Sequence, residues 1–140
     1  MNLLPIAAVI AVLVGGASHE RPLPAGSQEV IDATLITQIV AAHRYSVHIP
    51  VYEIVISYEM PAGFSLTEHA AVIDCDNRRL VYNAEIVASR YGYIFQSTIP
   101  HEVAHMVMCA KYGGVGQYPH GDEWRSIVLD LGGDPDLLGV

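Results

Sequence analysis

His101-Glu102-Val103-Ala104-His105 sets two imidazoles four residues apart, with a carboxylate beside the first. On a helix, residues four apart lie on one face, one turn above the other. Two imidazoles so placed can grip one tetrahedral divalent ion, zinc above all. A glutamate next to the first ligand can reach a water on that ion and act as its general base, which is the chemistry of metal-assisted hydrolysis. H-E-x-x-H also arises by chance. The flanking residues must therefore supply both a helix and a further ligand.

The flanks predict a helix. Pro100 directly precedes His101, and proline is tolerated in a first turn, where its missing N–H costs nothing. Ser97 or Thr98 can cap that turn; alternatively the helix begins earlier, near Tyr93, and bends at Pro100. Val103, Met106, Val107 and Ala110 form an apolar stripe at helical spacing. Gly113-Gly114 offers a left-handed stop, with Lys111 in the last turn, where a cation suits the helix dipole. For a third ligand, Cys109 continues the four-residue spacing, but eight residues of helix rise about 12 Å, too far for one ion to touch both ends. Cys109 is expected instead to be a small buried residue of the helix. His120 is the better candidate. It follows the chain-reversing stretch Gly113 to Pro119 and precedes a second helical pattern, Gly121 to Leu131, with Asp122 and Glu123 in its first turn. Three histidines leave the fourth position of a tetrahedral ion open to water, the catalytic rather than the structural arrangement.

Ile99-Pro100-His101-Glu102-Val103-Ala104-His105, followed by His120-Gly121-Asp122-Glu123-Trp124, resembles the SprT-like zinc metallopeptidase family, which includes bacterial SprT and the protease domain of Spartan. That family pairs H-E-x-x-H with a third histidine in an H-G-x-x-[W/F] motif. Arg79 to Asn83 resembles its strand before the active-site helix, and Leu131-Gly132-Gly133-Asp134-Pro135 resembles its helix ending. The resemblance covers about residues 28–140 and is densest from 97 to 135. It implies a zincin-like minimal protease domain that hydrolyses peptide bonds with a zinc-bound water. His101, His105 and His120 are then the Zn2+ ligands, Glu102 the catalytic acid/base, and a protein or peptide the substrate. The metzincin pattern is absent, because positions 108 and 111 are Met and Lys. Within these 140 residues no counterpart is expected to the cysteine-rich ribbon of many bacterial members or to Spartan's DNA-binding segments. The two cysteines, Cys75 and Cys109, form no C-x-x-C pair. The other readings of the motif are a non-catalytic zinc-binding interaction module and a DNA-associated protease that needs a partner to reach DNA.

The 140 residues suit one domain with a real core, and 51% hydrophobic content excludes a disordered chain. The net charge is −8, with a single lysine, Lys111. Phosphate-backbone binding needs clustered cations, and Arg78-Arg79 is the lone basic pair, expected at a solvated hairpin end. Strong autonomous binding of nucleic acid is not expected. Residues 1–27 are a separate unit. Leu3 to Val14 is apolar apart from Pro5, too short for a stable membrane span. It has signal-peptide length and is followed by the small residues Gly15-Gly16-Ala17, but no Lys or Arg precedes it. Export or anchoring through residues 1–17 and an apolar helix packed on the domain both stay open, and the family resemblance favours the cytoplasm. Residues 19–27, rich in Pro and Gly, form a linker. In an exported chain Cys75 and Cys109 can pair; in the cytoplasm both are expected to be thiols.

Residues 28–140 are expected to fold as an α+β domain: an N-terminal helix, a small antiparallel sheet, the active-site helix and a C-terminal helix. Ser27 can cap a helix over 28–44, with Ile31, Leu35, Ile36, Ile39 and Val40 on one side. Val51 to Tyr58 is a strand pattern, and residues 70–75 and 78–83 form a hairpin around Asp76-Asn77. His19, His43, His48 and His69 are expected to be surface or structurally satisfied residues. Trp124 is expected in the core against the ligand helix, holding His120. Tyr112 and Tyr118 are candidate donors to a developing oxyanion, and Arg125 a solvated helix charge.

Overall fold

The computed structural model describes residues 21–114 and 119–137. Calls on residues 1–20 and on Tyr118 lie outside them. The first helix, α1 (Ser27–Arg44), buries Val30, Ile31, Thr34, Gln38 and Ala41. The inward face thus carries polar groups, and both Thr34 and Gln38 reach a partner, although the Gln38 Oε1 is left buried without one among the described residues. Thr34 Oγ1 lies 2.7 Å from the Tyr82 hydroxyl and donates to the Val30 carbonyl, and Gln38 Nε2 donates to Pro50 O. Of the apolar residues expected inside, Ile31 is buried, whereas Ile36, Ile39 and Val40 are exposed. Periodicity located the helix but not its inward face, because two polar residues partnered inside displaced three apolar ones. The N-cap is Gly26, left-handed at φ 89°, rather than Ser27, whose hydroxyl donates to Pro24 O.

The sheet contains β1 (Glu53–Ser57), β2 (Ala71–Asp74) and β3 (Arg79–Asn83), in the order β1-β3-β2. The α+β class stands as expected. The sheet is mixed rather than wholly antiparallel: β2 and β3 form the expected hairpin, but β1 pairs with β3 in parallel. The segment 58–70 causes this. It carries the chain from the end of β1 past the end of β3 to the far edge. Asn83, fully buried at that end, fastens the segment: its Nδ2 donates to Leu66 O and His69 O, and its N–H donates to Ala70 O. At the other end of β2, the Asp74 carboxylate accepts from Asn77 N and Nδ2, closing the hairpin turn. Arg78 takes the left-handed conformation there.

Asn83 also caps α2 (Ala84–Ser89), its Oδ1 accepting from Glu85 N. A short helical turn, α3 (Tyr91–Tyr93), then runs through a π-helical turn at Ile94–Thr98 into α4 (Ile99–Tyr112). The helix therefore begins before Pro100, the second of the two starts anticipated, and neither Ser97 nor Thr98 caps it. A proline ring clashes with the carbonyl four residues back in regular α geometry. A widened turn just before Pro100 relieves that clash with Gln96. The final helix, α5 (Asp122–Asp130), is tied to α4 by the Lys111–Glu123 ion pair and by the Tyr112 hydroxyl, which donates to Glu123 Oε2 at 2.6 Å. It is tied to α1 by Tyr45 and Arg44, which donate to Asp130. After α5 the tail folds back so closely that a Cβ at Gly133 would sit 2.6 Å from Pro100 Cβ. Among the described residues no helix is long and apolar enough to cross a membrane.

Cys75 and Cys109 are disulfide-bonded. Cys109 is therefore not the small buried thiol expected from its place on the helix; it joins α4 to the hairpin turn after β2. Closing a loop with a sequence separation of 34 stabilises the fold by about 3–4 kcal/mol in the chain-entropy account. Cys75→Ser and Cys109→Ser, singly or together, should each lower the urea midpoint by a similar amount, and reductant should do the same to wild type. Superimposable denaturation curves with and without reductant would show that the bridge does not form in solution.

Candidate metal centre

The ligand helix is buried almost end to end. Glu102, Val103, Ala104, His105, Met106, Val107 and Met108 are all buried, and His101 and His120 lie at the rim. The four-residue spacing puts the rings of His101 and His105 side by side, centroids 4.9 Å apart. α4 ends at Gly113 in a left-handed conformation, its N–H donating to Cys109 O. The tether of Tyr112 and Lys111 to Glu123 then fixes the start of α5, so His120, two residues before that helix, returns to the two rings. Its ring lies 5.0 Å from each of the others.

His105 Nε2 lies 3.2 Å from both His101 Nε2 and His120 Nε2, and all three ligand atoms fall within 4.8 Å of one another. A tetrahedral ion with bonds of roughly 2.0–2.1 Å has ligand–ligand edges of roughly 3.3–3.4 Å. The cluster fits such an ion, and the three residues could hold one. Trp124, fully buried, is the wedge behind them. It stacks on His105 at an interplanar angle of 28°, meets His101 and His120 at more open angles, and donates its Nε1–H to the His101 carbonyl. It thus packs on the ligand helix and on His120 together.

Burial controls the charge of these groups. It lowers His101 to about 4 and His105 to about 3, with the neighbouring imidazoles adding to the effect, and it lowers His120 as well. Neutral rings present the lone pairs that a metal needs. Burial pushes Glu102 up to about 8. Its Oε1 lies 3.9 Å from His101 Nε2, but with both groups held neutral this approach is not an ion pair.

The centre opens into a cavity of ≈ 520 Å³. One wall is the helical face of Tyr93, Ser97, Thr98 and Glu102; the facing wall is Ala71, Val72 and Ile73 of β2, an edge strand. His69, expected to be a bland loop residue, also lines it. His43 and His48 are exposed and away from it. Tyr112 does not face the cavity and serves as the tether to Glu123. Arg125 is paired with Asp136, holding the tail to α5. The sequence missed the cavity's second wall because nothing local marks a strand as an edge beside a helix distant in the chain.

A three-stranded α+β domain with two histidines and a glutamate on a buried helix, and a third histidine returned to them, is the arrangement of an SprT-like domain. The family's sequence profile matches residues 38–136, most of the chain, and the chain belongs to the SprT-like family. It is similar to Protein SprT of Pseudomonas syringae pv. tomato, at 34% identity over 61 residues, 44% of this chain and 37% of the relative. It is also similar to Protein SprT of Pasteurella multocida, at 29% over 62 residues (44% and 36%), and of Pseudomonas aeruginosa, at 29% over 68 residues (49% and 41%). The chain thus covers about two fifths of the length of these relatives. No solved structure matches it.

The buried carboxyl and imidazoles set a pH signature in chelator-treated protein. An unfolded imidazole titrates near 6.5, above His101 and His105 in the fold. The unfolded chain therefore binds the extra protons, and these two residues make stability rise with pH up to about 6.5. Glu102 acts in the opposite sense. Its native value of about 8 exceeds the unfolded 4.5, so the native state holds the extra proton and loses stability as pH climbs from 4.5 to 8. Between pH 6.5 and 8 the Glu102 effect is unopposed by these histidines, and Glu102→Gln should flatten the decline there. Parallel urea-midpoint profiles for the two proteins across that window would show that burial does not govern this carboxyl.

Proposed function

We propose that this domain is a zinc-dependent endopeptidase. The observation that carries the proposal is a set of three neutral imidazoles converging at ligand distance, with a buried carboxyl beside them, at the head of a cavity with an exposed strand edge along one wall. His101, His105 and His120 would hold the ion. Zinc, when bound, supplies Lewis acidity, polarising a carbonyl and bringing the pKa of a water to about 7.

Glu102 is the proton carrier. Its raised pKa would fall towards neutrality beside a bound cation, where an acid/base catalyst can both accept and return a proton. It takes a proton from the attacking water and delivers it to the departing amine. A purely structural metal site has no use for a buried carboxyl at that position, which favours catalysis over a non-catalytic zinc module. Trp124 fixes the ring orientations, and the apolar walls keep the centre from flooding with water.

The substrate is polypeptide. The outer edge of β2 offers unpaired backbone groups to an extended segment, as in strand addition. Among the described residues lining the cavity there is no lysine or arginine, so a phosphate backbone finds no partner there.

Zinc analysis and cleavage of an unfolded protein test this reading together. Wild type should hold one zinc per chain and lose activity to a chelator. Glu102→Gln should keep the zinc and lose about 10²–10⁴ in rate. His120→Ala should lose stoichiometric zinc. Loss of the metal in Glu102→Gln would assign that residue a structural role instead, and full turnover in it would remove it from the mechanism.

A further inference from the structure

We infer that His69 is a substrate-binding residue of the same cleft, donating its Nε2–H to a backbone carbonyl of the bound peptide; the inference rests on the endopeptidase reading above. His69 lies just before β2 and lines the cavity that also contains His101, Glu102, His105 and His120. Its Nδ1 accepts the backbone N–H of Ser65 at 3.2 Å. A neutral imidazole that accepts at one nitrogen carries its proton on the other, so the tautomer is fixed with the donor on Nε2. Nε2 has no hydrogen-bond partner among the described residues.

The ring is held from several sides. Phe64 meets it edge-on, with centroids 5.1 Å apart. The His69 carbonyl accepts from Asn83 Nδ2 at 2.9 Å, and the next carbonyl, Ala70 O, accepts from Asn83 N–H at 2.9 Å. Asn83 is fully buried. Few conformational losses therefore accompany a hydrogen bond from this ring, which is what a recognition donor requires. A peptide laid along β2 passes the start of the strand, where His69 stands. Strand pairing satisfies alternate backbone groups of such a peptide, and a side-chain donor at the end of the strand takes a carbonyl beyond the last ladder bond.

Two substitutions separate this role from that of a turn fastener. Asn at position 69 puts an oxygen near the place of Nδ1, keeping the Ser65 contact and removing the Nε2 donor. Gln puts an amide donor near the place of Nε2 and abandons the turn. The probes are a peptide hydroxamate, which grips the metal and fills the cleft, and acetohydroxamate, which grips the metal alone, titrated into zinc-loaded protein by calorimetry. Loss of one hydrogen bond corresponds to about a threefold to tenfold weakening. His69→Asn should weaken the peptide hydroxamate by that factor, leave acetohydroxamate unchanged and keep the wild-type melting temperature. His69→Gln should melt earlier and yet bind the peptide hydroxamate more tightly than His69→Asn. Equal peptide-hydroxamate affinity in wild type and His69→Asn overturns the inference. So does equal weakening of both probes, which marks a distorted metal site. If neither probe binds wild type, the metallopeptidase reading fails, and this inference fails with it.

Discussion

His105 Nε2 lies 3.2 Å from the Nε2 atoms of both His101 and His120, an approach that two charged rings could not share. Like charges at that distance in a poorly solvated place repel by several kcal/mol. The rest of the centre serves this constraint. Helix α4 is buried on nearly every side, so desolvation keeps His101 and His105 in the neutral form that binds a cation. The same burial protonates Glu102, leaving it poised to ionise when positive charge arrives. One physical cause, removal of water from a helix, thus sets the protonation of the two helix imidazoles and of the carboxyl that the proposed chemistry uses.

Much of the centre was legible in the sequence because it depends on short-range geometry. The i, i+4 relation of His101 and His105 follows from helix pitch, and the glycine stop, the reversal and the acidic first turn of α5 direct the chain back through His120. The fold class was also legible, since strand and helix patterns alternate clearly. Three features were not, for related reasons. The parallel pairing of β1 with β3 depends on how segment 58–70 crosses the sheet end, which Asn83 determines through long-range bonds. The inward face of α1 was misjudged because Thr34 and Gln38 find partners in Tyr82 and Pro50, remote in sequence. The small helix α2 went unanticipated, although Asn83 followed by Glu85 is a capping signal that could have found it.

Trp124 links the second helix to the chemistry. A single indole touches all three histidine rings and bonds to the backbone of His101. His120 approaches from a turn, and a turn alone positions a ring poorly. The wedge therefore supports the ring from the loop together with the two on the helix. The same logic accounts for the Lys111, Tyr112 and Glu123 contacts, which hold the two ends of that turn together.

The facing wall is held with equal care. Strand β2 is short and lies at a sheet edge, a position that ordinarily frays. Here both its ends are fastened to different parts of the fold. At its start, His69 and Ala70 are bonded to the buried Asn83. At its finish, Cys75 is bonded to Cys109 in the last turns of the ligand helix. The covalent bridge ties the strand to the helical wall at one end, and the buried polar cluster ties it to the sheet at the other. Were the cleft to act as proposed, a misplacement of 1 Å between substrate and Glu102 would cost about 10²-fold in rate, so a cleft made of one helix and one edge strand needs both anchors to act as a rigid template.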